Sequence, residues 1–167
     1  MPQNIAGPLD YDNEFWRFSL AVYGRAEVAK ECLGLQDAFG IDVNILLFCA
    51  WLGKQAVALH REDIEAASQA VASWQDDIVR PLRTVRQRLR DFSGHEKLRA
   101  GIKDGEIEAE QIEQAMLFAF SRQLQRQNAG QGDCVASNVR QYIEMKAPTA
   151  GAQASAMHLV DAARRAG

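Results

Sequence analysis

The sequence is short of the residues that build strands, form disulfide frameworks or cross membranes. Of its 167 residues only two are Thr, four are Pro and three are Cys, and Val, Ile and Thr together number 21. So few β-branched residues disfavour a strand-rich fold. The longest uncharged and mostly apolar stretch, Val43 to Gly53, has 11 residues, whereas a membrane-spanning helix needs about 20. We therefore predict no membrane contact.

Familiar metal and catalytic motifs are also missing. His60, His95 and His158 lie far apart, and the sequence has no CxxC pair, HExxH helix, GxSxG elbow or glycine-rich phosphate loop. We therefore predict no metal site and no cofactor. Nothing local indicates an enzyme, although scattered residues could still assemble an active site.

The three cysteines, Cys32, Cys49 and Cys134, are widely spaced, and the first two stand in apolar helical contexts. Such cysteines are typical of buried free thiols in a reducing compartment. The N-terminus lacks the basic and apolar pattern of a secretory signal. Both features predict a cytoplasmic protein.

The abundant residues favour helices, since the chain has 26 Ala and 14 each of Leu, Gln and Arg. Apolar residues recur at helical spacing, and no internal repeat is visible. We predict an all-α single domain, an orthogonal or bundle-like array of about seven helices. Residues 1–12 are predicted to form a flexible arm and residues 13–167 the domain, with a candidate sub-boundary near 93–105.

Capping residues mark the first three helices. Asp12 or Asn13 can begin the first helix, and Gly40 suits the left-handed position that ends the second. Asp42 can cap the next helix, whose residues 43–52 are apolar nearly all round. This third helix is predicted to lie at the centre of the core.

One apolar stripe, interpreted as facing the core, runs from Ile64 to Phe92 at alternating intervals of three and four residues. It crosses Pro81, which predicts either a kink or a new helix with Pro81 in its first turn. Residues 95–105 contain two glycines and are predicted to form a turn or a short helix. The acidic run Glu106 to Glu110 then predicts a helix start, and Thr149 is predicted to cap the last helix.

The N-terminal block carries a distinctive set of residues. From Phe15 to Gly53 it reads FWRFSLAVYGRAEVAKECLGLQDAFGIDVNILLFCAWLG. Its motifs include Phe15-Trp16, Leu35-Gln36-Asp37 and Asp42-Val43-Asn44, and it resembles DUF2390, a proteobacterial family of small proteins of unknown function. The resemblance implies a bacterial cytoplasmic protein and transfers no catalytic residue.

Charge is distributed unevenly along the chain. Residues 1–77 carry a net charge of −7, residues 78–103 of +6 and residues 104–167 of −2. Within the basic band, arginines spaced three or four residues apart share one helical face. This face consists of Arg80, Arg83, Arg86 and Arg90. It is a candidate binding surface for a partner or an anion, since four guanidinium groups in a row repel one another.

Three kinds of partner could neutralise the Arg80–Arg90 face. The face would have only a structural role if it were neutralised by solvent or by the protein's own carboxylates, such as Asp76, Asp77 and Glu62 to Glu65. An acidic surface of another protein would make it an interface. Phosphate of a nucleotide or nucleic acid would bind the guanidinium forks, although a pI of 5.6 is unlike that of typical nucleic-acid binders.

Two hypotheses for function follow. The favoured one is a non-enzymatic interaction or regulatory protein that binds an acidic partner, or itself, through the Arg80–Arg90 face or an apolar seam beside it. The alternative is a ligand-binding module or enzyme with a pocket near the start of the third helix. The candidate pocket residues are Gln36, Asp37, Asp42 and Asn44.

Overall fold

The computed structural model describes residues 8–127, 132–148 and 156–167, and this part of the chain contains helices and no strand. The all-α prediction is confirmed. The α-helices are α1 (Glu14–Tyr23), α2 (Ala26–Phe39), α3 (Val43–Lys54), α4 (Arg61–Trp74), α5 (Arg80–Arg88), α6 (Glu96–Gln127), α7 (Val135–Lys146) and α8 (Met157–Arg165). Because a π-helical turn, Gln75–Val79, joins α4 to α5, the described residues form seven helical rods.

The start of α1, the end of α2 and the start of α3 lie where their capping residues predict. Asn13 caps α1, and its side-chain oxygen accepts a hydrogen bond of 2.8 Å from a backbone N–H of the first turn. Gly40 ends α2 in the left-handed conformation, with a φ of 64°. Asp42 caps α3, because its Oδ1 accepts hydrogen bonds from the N–H groups of Asn44 and Ile45.

Helix α3 lies at the centre of the core, as its all-round apolar sequence predicts. Its residues from Asn44 to Gly53 are all buried. Phe48 and Trp51 pack against Phe15 of α1, with ring centroids 5.5 and 5.3 Å from that of Phe15. These aromatic contacts join the first helix to the core.

Helix α7 packs closely against α3 through a glycine and an asparagine. A β-carbon on Gly53 would come within 2.5 Å of the Val135 backbone, so a side chain there would push the two helices apart. The buried amide of Asn138 donates to two backbone carbonyls of α3 and the following loop, and it accepts from an N–H of that loop. Asn138 therefore joins α7 to α3 and satisfies backbone groups of the loop that follows α3.

The rod formed by α4 and α5 passes Pro81 without a break. The π-turn follows Trp74, and α5 places Pro81 at its second residue, where a missing N–H is tolerated. A π-turn holds one residue more than an α-helical turn, so later residues are rotated by about 100° around the axis. The inward face of the rod therefore moves by one residue.

This shift overturns the prediction that the whole stripe from Ile64 to Phe92 faces the core. Before the π-turn, Ile64, Ala67 and Val71 are buried. From the π-turn onward, the positions turned inward are Gln75, Val79, Arg83 and Arg86, which are buried or half-buried. Ile78, Val85 and Phe92 are exposed, at 37%, 45% and 62%, and Leu82 and Leu89 between them are half-buried.

Helix α6 begins ten residues before the predicted start. It runs from Glu96 to Gln127, 32 residues, and passes through Gly101 and Gly105 without interruption. The predicted turn at 95–105 and the predicted start at Glu106 are therefore wrong, because glycines lower helix propensity without breaking a helix that packs along its length. Glu106 lies within the helix and faces α5.

Helix α8 packs the buried side chains of Leu159, Ala162 and Ala163 against the core. Thr149, predicted to cap the last helix, lies outside the described residues. The three cysteines are free and buried, as predicted. No helix in the described ranges is both long and apolar enough to cross a membrane.

Candidate functional site

Two of the four predicted arginines point into the molecule, where glutamates of α6 bind them. Arg83 donates from Nε to Glu106 at 3.0 Å and from Nη2 to Glu110 at 2.8 Å. Arg86 donates from Nε and Nη2 to the two oxygens of Glu106. These four side chains form what we call the arginine network between α5 and α6.

The arginine network keeps a buried glutamate ionised. The side chain of Glu106 is 6% exposed. Burial alone would raise the pKa of Glu106, but hydrogen bonds from Arg86 and Arg83 outweigh burial and lower that pKa. At Glu110, burial has the larger effect and raises the pKa despite the contact with Arg83.

The other two arginines of the predicted face lie at the surface. Arg80 pairs with Asp76 one helical turn away at 2.6 Å, and both side chains are more than half exposed. Arg90 is exposed, as is its neighbour Arg88, and neither side chain has an ion pair within the described ranges. The face is therefore divided: Arg83 and Arg86 pair with glutamates inside the molecule, whereas Arg80 and Arg90 lie at the surface.

The segment that runs from the last residue of α5 into the first two turns of α6 is basic and mostly exposed. Residues 88–103 carry five basic and two acidic side chains, and every residue from Arg90 to Leu98 is exposed. Phe92 and Leu98 are two large apolar residues in this segment. Exposed apolar side chains beside charged groups are typical of interaction surfaces.

A second group of polar side chains, all buried except the half-buried Asp42, lies where α3, the π-turn, α6 and α7 meet. Oδ2 of Asp42 accepts a hydrogen bond from Nε2 of Gln75 at 2.7 Å. The backbone N–H of Asp42 donates to the hydroxyl oxygen of Tyr142 at 3.1 Å. Oδ1 of Asn44 accepts from Nε2 of Gln114 at 2.8 Å. The group, which we call the carboxyl cluster, comprises Asp42, Asn44, Gln75, Glu113, Gln114 and Tyr142.

Glu113 is fully buried in the carboxyl cluster, at 0% exposure. Neither of its carboxyl oxygens accepts a hydrogen bond of ordinary geometry from the described residues. Burial raises the pKa of Glu113 to about 9, and the Asp42 carboxylate adds to this shift while Asn44 opposes it. At neutral pH Glu113 is therefore an uncharged carboxylic acid.

A family model matches the chain from α1 to the middle of α6. It covers residues 14–117 and describes a family of proteins of unknown function, DUF2390. The chain belongs to DUF2390. No curated protein and no solved structure gives a significant match. The matched range confirms the resemblance seen in residues 15–53, and it contains the whole arginine network.

Of the four pocket residues predicted for this DUF2390 protein, two lie in the carboxyl cluster. These are Asp42 and Asn44. Gln36 and Asp37 belong to the end of α2, where Gln36 is half-buried and Asp37 is exposed. Within the described ranges no side-chain hydrogen bond joins either residue to the cluster.

Glu106 and Glu110 were predicted only as the acidic start of a helix, and no role was predicted for Glu113. Glu106, Glu110 and Glu113 recur at intervals of four and three residues, which places them on one helical face. Arg83 and Arg86 recur at a similar spacing. Complementary spacing of acidic and basic residues was thus the available signal for helix pairing.

A cavity of this DUF2390 protein lies away from both polar groups. It is an open groove of about 250 Å³ between α7 and α8, with Arg140, Asp161 and Arg164 among its lining residues. None of its lining residues belongs to the arginine network or the carboxyl cluster. In the part of the chain that the structure describes, no three His, Cys, Asp or Glu side chains are placed to hold a metal ion.

Proposed function

We propose that this DUF2390 protein is a non-enzymatic interaction protein that binds an acidic amphipathic helix of another protein. The binding surface is the apolar stripe along α5, which begins at Ile78 in the π-turn, includes Leu82 and Val85 of α5, and ends beyond that helix at Leu89 and Phe92. The observation that carries the proposal is the exposure of Ile78, Val85 and Phe92, while Leu82 and Leu89 are half-buried. We place the binding in the cytoplasm, and the three free, buried cysteines support that location.

The stripe has the spacing of a seam between paired helices. Its residues alternate at intervals of four and three, as the a and d positions of a coiled coil do. A partner helix lying there would cover apolar surface that the chain leaves exposed.

The charges beside the stripe favour an acidic partner over a second copy of the chain. Arg88 occupies a position that flanks the seam, and residues 88–103, with five basic and two acidic side chains, carry a net charge of +3. Two copies paired in parallel along α5 would bring these cations together. Carboxylates on a partner helix would instead pair with them and select that partner.

Phosphate is a poorer candidate for this surface. The central arginines, Arg83 and Arg86, already bind glutamates of α6. Only the outer arginines remain for an anion, so a row of four free guanidinium groups does not exist. An acidic helix uses both the surface cations and the apolar stripe, whereas phosphate would use only the cations.

Binding of a designed peptide to the full-length protein tests the proposal. The probe is a fluorescently labelled helix of about three heptads, with Leu and Ile at a and d and Glu at e and g. The matched control peptide carries Lys in place of every Glu. Fluorescence anisotropy should show binding of the Glu peptide only, and the affinity should fall as salt is raised.

Two substitutions locate the binding surface. Val85→Asp should weaken binding of the Glu peptide by about tenfold or more, because it places a carboxylate within the stripe. Leu20→Asp is the matched control, since Leu20 is exposed on α1 and should be neutral for binding. The proposal would be overturned if the Glu peptide did not bind, or if the Lys peptide bound equally well. It would also be overturned if Val85→Asp and Leu20→Asp weakened binding equally. Dimerisation of the chain that Val85→Asp abolishes would also overturn it, in favour of self-association.

A further inference from the structure

Independently of the α5 surface, we propose that Asp42 and Glu113 form a buried proton-binding site. One proton held between the two carboxyl groups stabilises the junction of α3, the π-turn and α6. The ligand of this site is the proton itself, which exchanges with solvent when the junction opens. The site therefore links the stability of the junction to pH.

The junction contains more hydrogen-bond acceptors than donors. Four of its buried oxygens lack a hydrogen-bond partner in the described ranges, namely both oxygens of Glu113 and the Oε1 atoms of Gln75 and Gln114. The amide nitrogens of the two glutamines are already used, by Asp42 and Asn44. Asn44 alone opposes the raised pKa of Glu113, and a buried carboxyl group with so little donor support is stable when it carries its own proton.

The groups that face Glu113 from neighbouring elements supply no positive charge. Asp42, at the start of α3, and Glu110, on the same helix, are both carboxyl groups that raise the pKa of Glu113. Tyr142 of α7 is a neutral phenol whose own pKa is raised by burial, and the π-turn contributes a neutral glutamine. Arg83 of α5 belongs to the arginine network. Within the described part of the chain, a proton therefore has to neutralise the pair.

Loss of the proton would affect the π-turn because Asp42 also holds its first residue, Gln75. Two ionised carboxylates side by side in a buried site repel each other and lack solvation. The folded pKa of Glu113, about 9, lies above the ordinary glutamate value. The stabilisation is therefore complete at acid pH and is lost progressively as pH rises through 9.

Carbon-13 NMR of the full chain, labelled at the glutamate carboxyl carbons, measures this proton directly. One glutamate should titrate with a midpoint near 9, far above the ordinary value of about 4.3. Glu113→Gln, which is neutral and of the same shape, should remove that signal. Glu108→Gln is the matched control, because Glu108 is exposed on the same helix and should leave the high midpoint in place.

Asp42→Asn distinguishes the effect of the Asp42 charge on the pKa of Glu113 from the effect of burial. Because Asn also caps helices well, α3 should still begin at the same residue. Without the neighbouring charge, the midpoint of Glu113 should fall by about one pH unit. Amide protection in the π-turn, corrected for the intrinsic exchange rate, should fall as pH rises from the ordinary glutamate pKa toward the midpoint in the unmodified protein but not in Glu113→Gln.

Three results would overturn the proposal. The first is a titration in which every glutamate has a midpoint below about 6, a result that needs no variant to fold. The second is a high midpoint that persists in Glu113→Gln. The third is a midpoint that Asp42→Asn leaves unchanged, which would show that Asp42 does not share the proton.

Discussion

Glu106 and Glu113 lie seven residues apart on the same face of α6, and their exposed fractions are 5% and 0%. At neutral pH Glu106 is nevertheless ionised, whereas Glu113 is uncharged. Two guanidinium groups lower the pKa of Glu106, whereas burial and a neighbouring carboxylate raise that of Glu113 to about 9. The comparison shows that the groups facing a buried carboxyl group, more than its depth, decide whether it is ionised.

The two glutamates therefore give opposite pH dependences of folding. The folded pKa of Glu106 is depressed, so its stabilisation is present above the ordinary glutamate pKa and is lost as pH falls through the folded pKa. The folded pKa of Glu113 is raised, so its stabilisation is lost as pH rises toward and through 9. Together they predict that the fold is most stable in mildly acidic solution.

The largest expected effect is on the Glu106 side of the comparison. Glu106→Ala should lower the free energy of unfolding by about 3 kcal/mol at neutral pH, because Arg86 loses its partner and Arg83 loses one of two. Urea denaturation measures this loss, and Glu108→Ala on the exposed side of α6 is the control. The difference from the unmodified protein should shrink as pH falls through the folded pKa of Glu106. A loss that is the same at every pH would show that the carboxylate acts through packing alone.

A smaller effect is expected when Arg83 is replaced by Met. The substitution leaves Glu106 with Arg86 but leaves Glu110 without a cation, so the free energy of unfolding should fall by about 2 kcal/mol. The pKa of Glu110, which burial already raises, should then rise further and make this residue resemble Glu113. Carboxyl NMR can follow that change, with Arg80→Met as the control. An unchanged Glu110 titration would contradict the rule drawn from the comparison.

The smallest effect belongs to the exposed pair of Arg80 and Asp76. Asp76→Ala should change the free energy of unfolding by no more than about 0.5 kcal/mol, because exposed ion pairs one helical turn apart contribute little. Chemical denaturation at low and high salt gives the measurement. A loss comparable to that of Glu106→Ala would mean that burial is not what distinguishes the arginine network from a surface pair.

The sequence was sufficient to predict the helix ends that depend on local contacts. Asn13, Gly40 and Asp42 act within one helical turn, so their roles can be inferred from neighbouring residues alone. The start of α6 was not predicted, because an acidic run favours a helix N-terminus but also provides partners for arginines. Only the packing of α5 on α6 distinguishes these two roles of Glu106.

The orientation of α5 could not be predicted from periodicity. Helical spacing shows which residues share a face, and an apolar face is normally turned toward the core. Here the π-turn and the glutamates of α6 reverse that preference. Asp42 and Asn44, which lie in the carboxyl cluster, were predicted as pocket residues because they stand at a helix start. Tyr142 is 100 residues from Asp42 along the chain, and only the tertiary fold brings it near.

The π-turn also indicates how the α5 surface could evolve. If Gln75–Val79 formed an ordinary α-helical turn with no change in length, α5 would rotate by about 100°, turning Leu82 and Val85 toward α6 and Arg83 and Arg86 toward solvent. Deleting one residue from the turn would instead remove the extra residue and leave the inward face of α5 unchanged. In this fold, partner preference can therefore change through substitutions in a turn, without any substitution in the helix that forms the surface.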